Sequence, residues 1–226
     1  MKHYDVIVLG AGAAGLMAAI TAASRNRSVL VLEKSNKAGK KILMSGGGRC
    51  NFTNTNLEFD NFISKNPHFC KSALSRYTAL DFINLVQKHG IEYEERKHNQ
   101  LFCVHSAKDI VNILLKECEF NKVKIIKNAE IKTVTDIDGS EKNNYGYKVS
   151  GYEKNKNIEE SFVVQCKSLI VATGALSVPT LGGSDFGYKL AEQYKLPLVK
   201  LSAGLVPFMF SDFLKSFCES LSGIST

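Results

Sequence analysis

Three glycines at fixed spacing are the first residues in this chain whose types and positions suggest chemistry. Gly10, Gly12 and Gly15 form the pattern G-x-G-x-x-G in "GAGAAG". The first position permits a tight turn, the second lets backbone approach a pyrophosphate, and the third lets a helix pack closely on a sheet. Glu33 follows, at the end of the next apolar run. Its carboxylate can accept hydrogen bonds from both ribose hydroxyls and repels a 2′-phosphate, so FAD or NAD is expected rather than NADP. A second cluster is "LMSGGGRCNFTN" at 43–54. Gly46, Gly47 and Gly48 let consecutive N–H groups point one way, as in an anion nest. Lys41 and Arg49 add charge that suits a pyrophosphate or a reduced flavin. Asn51 and Asn54 offer amides to ring carbonyls or nitrogens. Taken alone, the run is as compatible with a linker as with a phosphate cradle.

The elements that must position these residues can be read from periodicity. Residues 4–9 are a β-branched buried-strand run, 10–15 a turn, 14–24 an alanine-rich helix and 28–32 a second buried strand. Strand, glycine turn, helix and strand make a βαβ unit with a parallel sheet. Residues 34–66 form a long excursion rich in Gly, Asn, Ser and Lys. Helical spacing predicts one helix over 69–88, closed by Gly90, and Ser106 with Asp109 caps a helix beginning "IVNILLKEC". Residues 123–126 are β-rich. Three further segments, 130–137, 145–152 and 158–165, read as an antiparallel meander with the turn-prone pieces "IDGSEKNN" and "EKNKN" between them. "SLIVATGA" at 168–175 is a separate apolar strand ending in Ala172, Thr173 and Gly174. A helix is predicted over 187–194, and apolar runs with Pro197 and Pro207 follow. A plain NAD dehydrogenase continues with a third parallel strand soon after the acidic residue. The excursion and the meander favour FAD.

Composition narrows the classes. The 226 residues carry 44% hydrophobic and 23% charged residues and a net charge of +7, an ordinary globular composition. The basic residues are mostly Lys, there is no Trp, and no arginine stripe is interleaved with aromatics, so nucleic acid is not expected as a partner. The six cysteines include no C-x-x-C pair, so no zinc ribbon or dithiol motif is written, and free thiols in a reducing cytoplasm are expected. Cys50 reads as a packing or orienting residue rather than a catalytic one, and His105 as a surface or capping histidine rather than a general acid. The uncharged run at 6–23 looks like a membrane segment, but Asp5 and the three spaced glycines fit strand, turn and helix better.

"KKILMSGGGRCNFTN" strongly resembles the signature of the BaiN-like flavoproteins. These are a family of FAD-dependent NAD(P)-type oxidoreductases, some of them labelled aminoacetone oxidases. The resemblance continues through "QLFCVHSAKDIVNILLKEC", "LIVATGALSVPTLGGSDFGYKLAEQ" and "GLVPFMFSDFLKSFCESLSGIS", essentially the whole chain. It implies an α/β fold, a Rossmann-type FAD-binding domain with a parallel sheet, helices and an antiparallel β-meander, C-terminally truncated. The FAD domain is expected over 1–195, with a helical insertion at about 55–120 and the meander at about 129–166. Residues 196–226 would start an incomplete substrate domain. By resemblance, Gly10, Gly12, Ala13, Ala14 and Gly15 hold the pyrophosphate and Glu33 the AMP ribose. Lys34 and Lys41 line the entry, and Gly46, Gly47, Gly48, Arg49, Cys50 and Asn51 run near the flavin. Residues 129–131, with Ile131, approach the adenine side, and Ala172, Thr173 and Gly174 lie beside the cofactor. No catalytic side chain and no metal site carry over.

The implied activity is hydride transfer between NAD(P)H and a small organic substrate through FAD. The alternatives are a truncated remnant, one half of a split flavoprotein whose partner is a separate C-terminal half, and a tRNA-modifying flavoprotein. The resemblance further implies that a return strand beside the first strand is missing. The first strand should then lack a neighbour, and the chain should hold FAD weakly or not at all.

Overall fold

A computed structural model describes residues 1–137, 146–155, 158–177, 183–202, 211–219 and 221. Met1–Leu190 forms one compact unit and Ala191–Thr226 another. The first opens with β1 (Lys2–Leu9), α1 (Ala13–Ala23) and β2 (Val29–Leu32), so the apolar run at 6–23 is strand, turn and helix. Among the described residues no helix is long and apolar enough to cross a membrane. β1 and β2 pair in parallel, with Val6 opposite Val29 and Leu9 opposite Leu32. β6 (Lys124–Ile126) extends this parallel core beyond β2.

On the other side of β1 lies β9 (Ile158–Val171), also parallel, with Lys2 opposite Val164 and Leu9 opposite Val171. β9 then pairs antiparallel with β8 (Tyr147–Asn155), and β8 with β7 (Ala129–Asp136). The sheet order is β6-β2-β1-β9-β8-β7. Two expectations change here. The last meander strand and the apolar strand before Gly174 are one strand of 14 residues. Lys167 does not interrupt it, because alternate side chains leave a strand on opposite faces and the Lys167 ammonium bonds Asp5 Oδ1 at 2.9 Å. β1 does not lack a neighbour either, since β9 pairs along it from Lys2 to Leu9.

The residues of this core explain its stability. Val6, Val8, Val29 and Val31 lie in one buried cluster with Leu16 and Ala19 of α1 and Ile110, Ile113 and Leu114 of α5 (Ala107–Phe120). Ile7, Leu9, Leu30 and Leu32 alternate to the opposite face and are buried as well. Parallel strands covered on both faces are continuous apolar runs for this reason. Each such side chain contributes about 1.5–3 kcal/mol on burial.

The excursion at 34–66 is partly ordered into α2 (Lys40–Met44), a 3-10 turn at Ser45–Gly48 and β3 (Asn51–Asn54). β3 belongs to a second, antiparallel sheet with β5 (Gln100–Cys103) in the centre and β4 (Tyr93–Arg96) on its far side. β4, "YEER", has no apolar alternation to announce it; its pairing with β5 makes it a strand. The helix expected over 69–88 is two helices, α3 (Lys71–Arg76) and α4 (Ala79–Lys88). Tyr77 is extended at φ −142°, ψ 102°, and Thr78 starts a new helix. The Asp81 N–H donates to Thr78 Oγ1 at 3.3 Å, and the Thr78 N–H donates to Asp81 Oδ2 at 2.7 Å. That reciprocal cap outweighs a periodicity that reads straight through it. α5 begins at the Ser106–Asp109 cap as its spacing predicts. α6 (Phe186–Gln193) and α7 (Asp212–Glu219) follow. Residues 138–145 and 156–157 of the turn-prone stretches lie outside the described residues. So do 178–182, 203–210 with Pro207, 220 and 222–226.

Candidate functional site

The C-terminal ends of β2, β1 and β9 meet around the glycine turn. Gly10 lies at φ 102° and donates its N–H to Leu32 O at 2.8 Å, while the Ala172 N–H donates to Leu9 O at 2.8 Å. A Cβ on Gly10 would stand 2.4 Å from Ala172 O, and one on Gly15 only 1.9 Å from Gly10 O. Close backbone approach therefore fixes both positions as glycine. Gly12 is different. Among the described residues nothing lies within 4 Å of where its Cβ would be, and its φ of −80° suits any residue. Gly12 is the N-cap of α1, which has no side-chain cap, although Thr78 and Ser106 cap α4 and α5. The first-turn N–H groups of α1 thus open toward a cavity of about 240 Å³ that Gly12, Ala13, Ala14 and Lys41 help to line. An open helix N-terminus of this kind attracts anions.

A second cavity of about 240 Å³ shares Gly10, Glu33, Ser35 and Thr173 with the first and runs past Lys34 to Ala129, Glu130, Ile131 and Phe186. Together they form one elongated cleft on the strand ends, between β1, from which the chain goes on to β2 on one side, and β9, which it reaches from β8 on the other. Ligands of open α/β sheets bind at such switch points. The Glu33 carboxylate is already engaged. Oε2 accepts from the Ala11 N–H at 2.6 Å and Oε1 from the Ser35 N–H at 2.7 Å. It ties the glycine turn to the segment after β2 and keeps lone-pair capacity for a ligand, since a carboxylate offers about four acceptor sites. Next along the cleft, Lys132 and Lys154 hold the Glu130 carboxyl down at about 2. Lys41 spans the mouth, its Nζ donating to Ser177 Oγ at 2.8 Å. Thr173 Oγ1 is buried and has no hydrogen-bond partner among the described residues. A hydroxyl left so costs about 1–3 kcal/mol, and it lines both halves of the cleft.

Of the residues expected at the cofactor, Gly10, Gly12, Ala13, Ala14, Glu33, Lys34, Lys41, Ile131, Ala172, Thr173 and Gly174 line the cleft, with Gly15 packed behind it. Gly46, Gly47, Gly48, Arg49, Cys50 and Asn51 do not line it. Gly46, Gly47 and Gly48 are left-handed, at φ 57°, 64° and 85°. A Cβ on Gly46 would meet Asn51 N and the Phe102 ring at 2.7 Å, but Gly47 and Gly48 face open space. Arg49 reaches Glu94 Oε1 at 3.6 Å, and Asn51 is exposed on β3. Cys50, also left-handed at φ 53°, is buried in the same core cluster as Cys103. Burial pushes the Cys50 thiol up, and burial followed by the nearby Cys50 pushes Cys103 up to about 12. Both stay protonated at neutral pH. Sequence reasoning missed Ser35, Lys37, Gly39 and Lys40 on one side of the cleft and Ser184, Asp185, Phe186 and Lys189 on the other. Gly39 was legible in principle: at φ 69° its N–H donates to Ala11 O at 2.9 Å, docking α2 on the turn.

A parallel core extended by an antiparallel meander, with an uncapped glycine-turn helix at the strand ends, defines a Rossmann-type FAD-binding domain. The chain belongs to the family described as "HI0933-like protein Rossmann domain", whose model matches residues 4–214. Two relatives are named ribosomal RNA dihydrouridine synthase. The one from Escherichia coli K12 is 44% identical over 225 residues, 100% of this chain and 53% of its own length. The one from Haemophilus influenzae is 46% identical over 224 residues, 99% and 53%. The chain thus spans about half the length of these curated relatives. The BaiN-like resemblance is a distant one. A 3-dehydro-bile acid delta(4,6)-reductase from Clostridium scindens is 25% identical over 193 residues, 81% of this chain and 42% of its own. Among solved structures, a 3-ketosteroid-delta4-(5alpha)-dehydrogenase from Rhodococcus jostii RHA1 shares the fold. Its TM-score is 0.57 at 14% identity over 77% of this chain and 46% of that one.

These relatives overturn two expectations. Hydride transfer to a small organic substrate does not describe the relatives that match the whole chain, and nucleic acid can no longer be set aside as a partner. An aromatic-arginine stripe bears on base stacking alone. Phosphate contacts need only lysines.

Proposed function

We propose that the chain is the FAD-binding part of an enzyme that reduces uridine to dihydrouridine in ribosomal RNA. The observation that carries this reading is 44–46% identity, over the whole chain or nearly so, to relatives of that name. The cleft suits the cofactor. An uncapped α1, an open face at Gly12 and a partnerless Thr173 hydroxyl are what a bound dinucleotide would complete. Gly10, Gly12, Ala13 and Ala14 would hold the pyrophosphate, with Lys37, Lys40 and Lys41 offsetting its charge. Glu33 would take the ribose, and Ala129 and Ile131 would border the adenine. Residues 46–51 are assigned to the flavin side on the strength of the resemblance.

Bound FAD, once reduced, supplies a hydride, and saturating the C5=C6 bond of uracil takes one hydride and one proton. NAD(P)H is the proposed source of the electrons. It would bind transiently, since the sequence carries a single dinucleotide fingerprint. The surplus of 29 basic over 22 acidic residues supports contact with RNA phosphates. Residues 1–195 are assigned to the FAD domain, and 196–226 lead into a substrate domain.

The test is chemical. Ribosomal RNA from cells lacking the gene is digested to nucleosides, and dihydrouridine is quantified by mass spectrometry, with transfer RNA as the control. Loss from ribosomal RNA alone, restored by the gene, is the expected result. Unchanged dihydrouridine in ribosomal RNA refutes the reading.

A further inference from the structure

We propose that a second pocket, at the end of β3 away from Cys50, receives a nucleobase of the RNA strand flanking the target uridine. This rests on the RNA reading above. The pocket has a volume of about 390 Å³ and lies where the residues after β3 meet the turn between β4 and β5. Asn54, Asn56, Asn61, Asn99, His98 and Phe62 line it, and among the described residues no lysine, arginine or carboxylate does. A site without charge is poorly suited to phosphate. Amides carry a donor and an acceptor each and match the edge of a base, and an exposed aromatic ring is the surface on which unpaired RNA bases stack. Phe62 is 40% exposed.

The pocket is built rather than incidental. The Asn54 side chain joins its walls, Nδ2 donating to His98 O at 2.7 Å and Oδ1 accepting from the Asn56 N–H at 2.8 Å. The Thr55 N–H donates to Asn99 O at 3.0 Å. His98 and Asn99 are both left-handed, at φ 61° and 60°, a conformation that collects at ligand-binding turns. Asn61 Oδ1 accepts from the Glu58 N–H at 2.8 Å, which leaves its amino group for another partner. The Asn56 side-chain amide and the His98 ring make no hydrogen bond among the described residues. β3 joins this pocket to Asn51, beside the loop assigned to the flavin side. Three residues at ~3.3 Å each place the two about 10 Å apart, a spacing that suits a nearby flanking nucleotide rather than the target itself.

The experiment uses the full chain with FAD supplied. Two fluorescein-labelled probes of equal length are titrated: oligouridylate and an abasic oligoribonucleotide. The expected result is that Asn56→Ala and Phe62→Ala each weaken oligouridylate binding about tenfold. The slope of log affinity against log salt and the binding of the abasic probe stay unchanged, because no phosphate contact is lost. Flavin fluorescence checks that FAD binding is unaltered. Asn56→Ala removes a side chain without partners, so its fold is not at risk. Oligouridylate binding that is undiminished in both variants, or no stronger than abasic binding in the parent, overturns the pocket and leaves the RNA reading standing. If the parent binds neither probe, the pocket is overturned, while the RNA reading is decided separately by the dihydrouridine assay.

Discussion

Gly15→Ala separates the two roles of the glycine turn. Its Cβ would start 1.9 Å from Gly10 O and 3.0 Å from Gly10 C, both backbone atoms. Contacts under 3.0 Å are essentially never seen for a Cβ, so α1 must retreat from β1 by roughly 1 Å or more. Leu16 and Ala19, fully buried on that helix, move with it. Overpacking of this kind costs about 1–3 kcal/mol. Gly15 lies in the first turn of α1, so alanine gains less than the ~1 kcal/mol of a helix interior, and a mid-range net loss of about 1–2 kcal/mol remains. For a chain of this size the apo melting temperature should fall by about 2–8 °C. Gly12→Ala is the comparator. Its Cβ enters open space at φ −80°, so apo stability should fall only by the loss of a glycine N-cap, about 1 kcal/mol or less, while FAD affinity falls because the methyl group occupies the cleft. Thermal melts of the apo proteins, followed by circular dichroism, and flavin-quench titrations read both quantities. A Gly15→Ala protein as stable as the parent, or a Gly12→Ala protein that binds FAD undiminished, refutes the argument.

Glu33→Gln keeps one acceptor oxygen for two N–H donors, those of Ala11 and Ser35. Apo stability should drop by about 1–3 kcal/mol, read from urea unfolding. Thr173→Val removes a partnerless buried hydroxyl. The apo protein should be no less stable, while FAD binds more weakly; equal FAD affinity would show that the hydroxyl serves no ligand. Hydrogen bonds from the Ser28 N–H, foremost, and from Lys167 hold the Asp5 carboxyl well below the usual aspartate range. A folded value below the unfolded one of about 3.9 means that Asp5 stabilises fully above that range and ceases to as pH falls through the folded value. Asp5→Asn should therefore cost about 1 kcal/mol at neutral pH, as the group is partly exposed, and progressively less below about pH 4. Denaturant midpoints across pH should show that convergence; a gap that widens in acid would reverse the sign.

Local sequence carried the parallel core well. "GAGAAG" between two apolar runs placed the turn, the close approaches of Gly10 and Gly15 and the open face of Gly12. The Ser106–Asp109 cap likewise placed the start of α5. What failed depended on distant pairing. Nothing near Lys167 tells that Ile158–Val171 is one strand; that follows from Asp5 and β1, far away in sequence. β4 is a strand only because β5 lies beside it. The Thr78–Asp81 cap is local as well, but it lies inside a run whose helical periodicity continues unbroken. At the site, the glycine-turn end of the cleft was legible because glycine spacing encodes it. Phe186 and Asp185 were not, because only the fold brings α6 and the segment before it to the strand ends.

The pairing of β9 with β1 has a consequence for synthesis. β1 finds β2 after some 20 residues, but its other edge waits until roughly 160 residues have followed it. At 5–20 residues per second that is about 8–30 s, during which an apolar strand edge stays open beside the ribosome. Ala172 and Thr173, which close the cleft around Gly10, arrive last in that interval. Cofactor capture is therefore a late event in the birth of the chain. An emerging chain without β9 leaves the far edge of β1 unpaired, a liability for aggregation, before the cleft is complete.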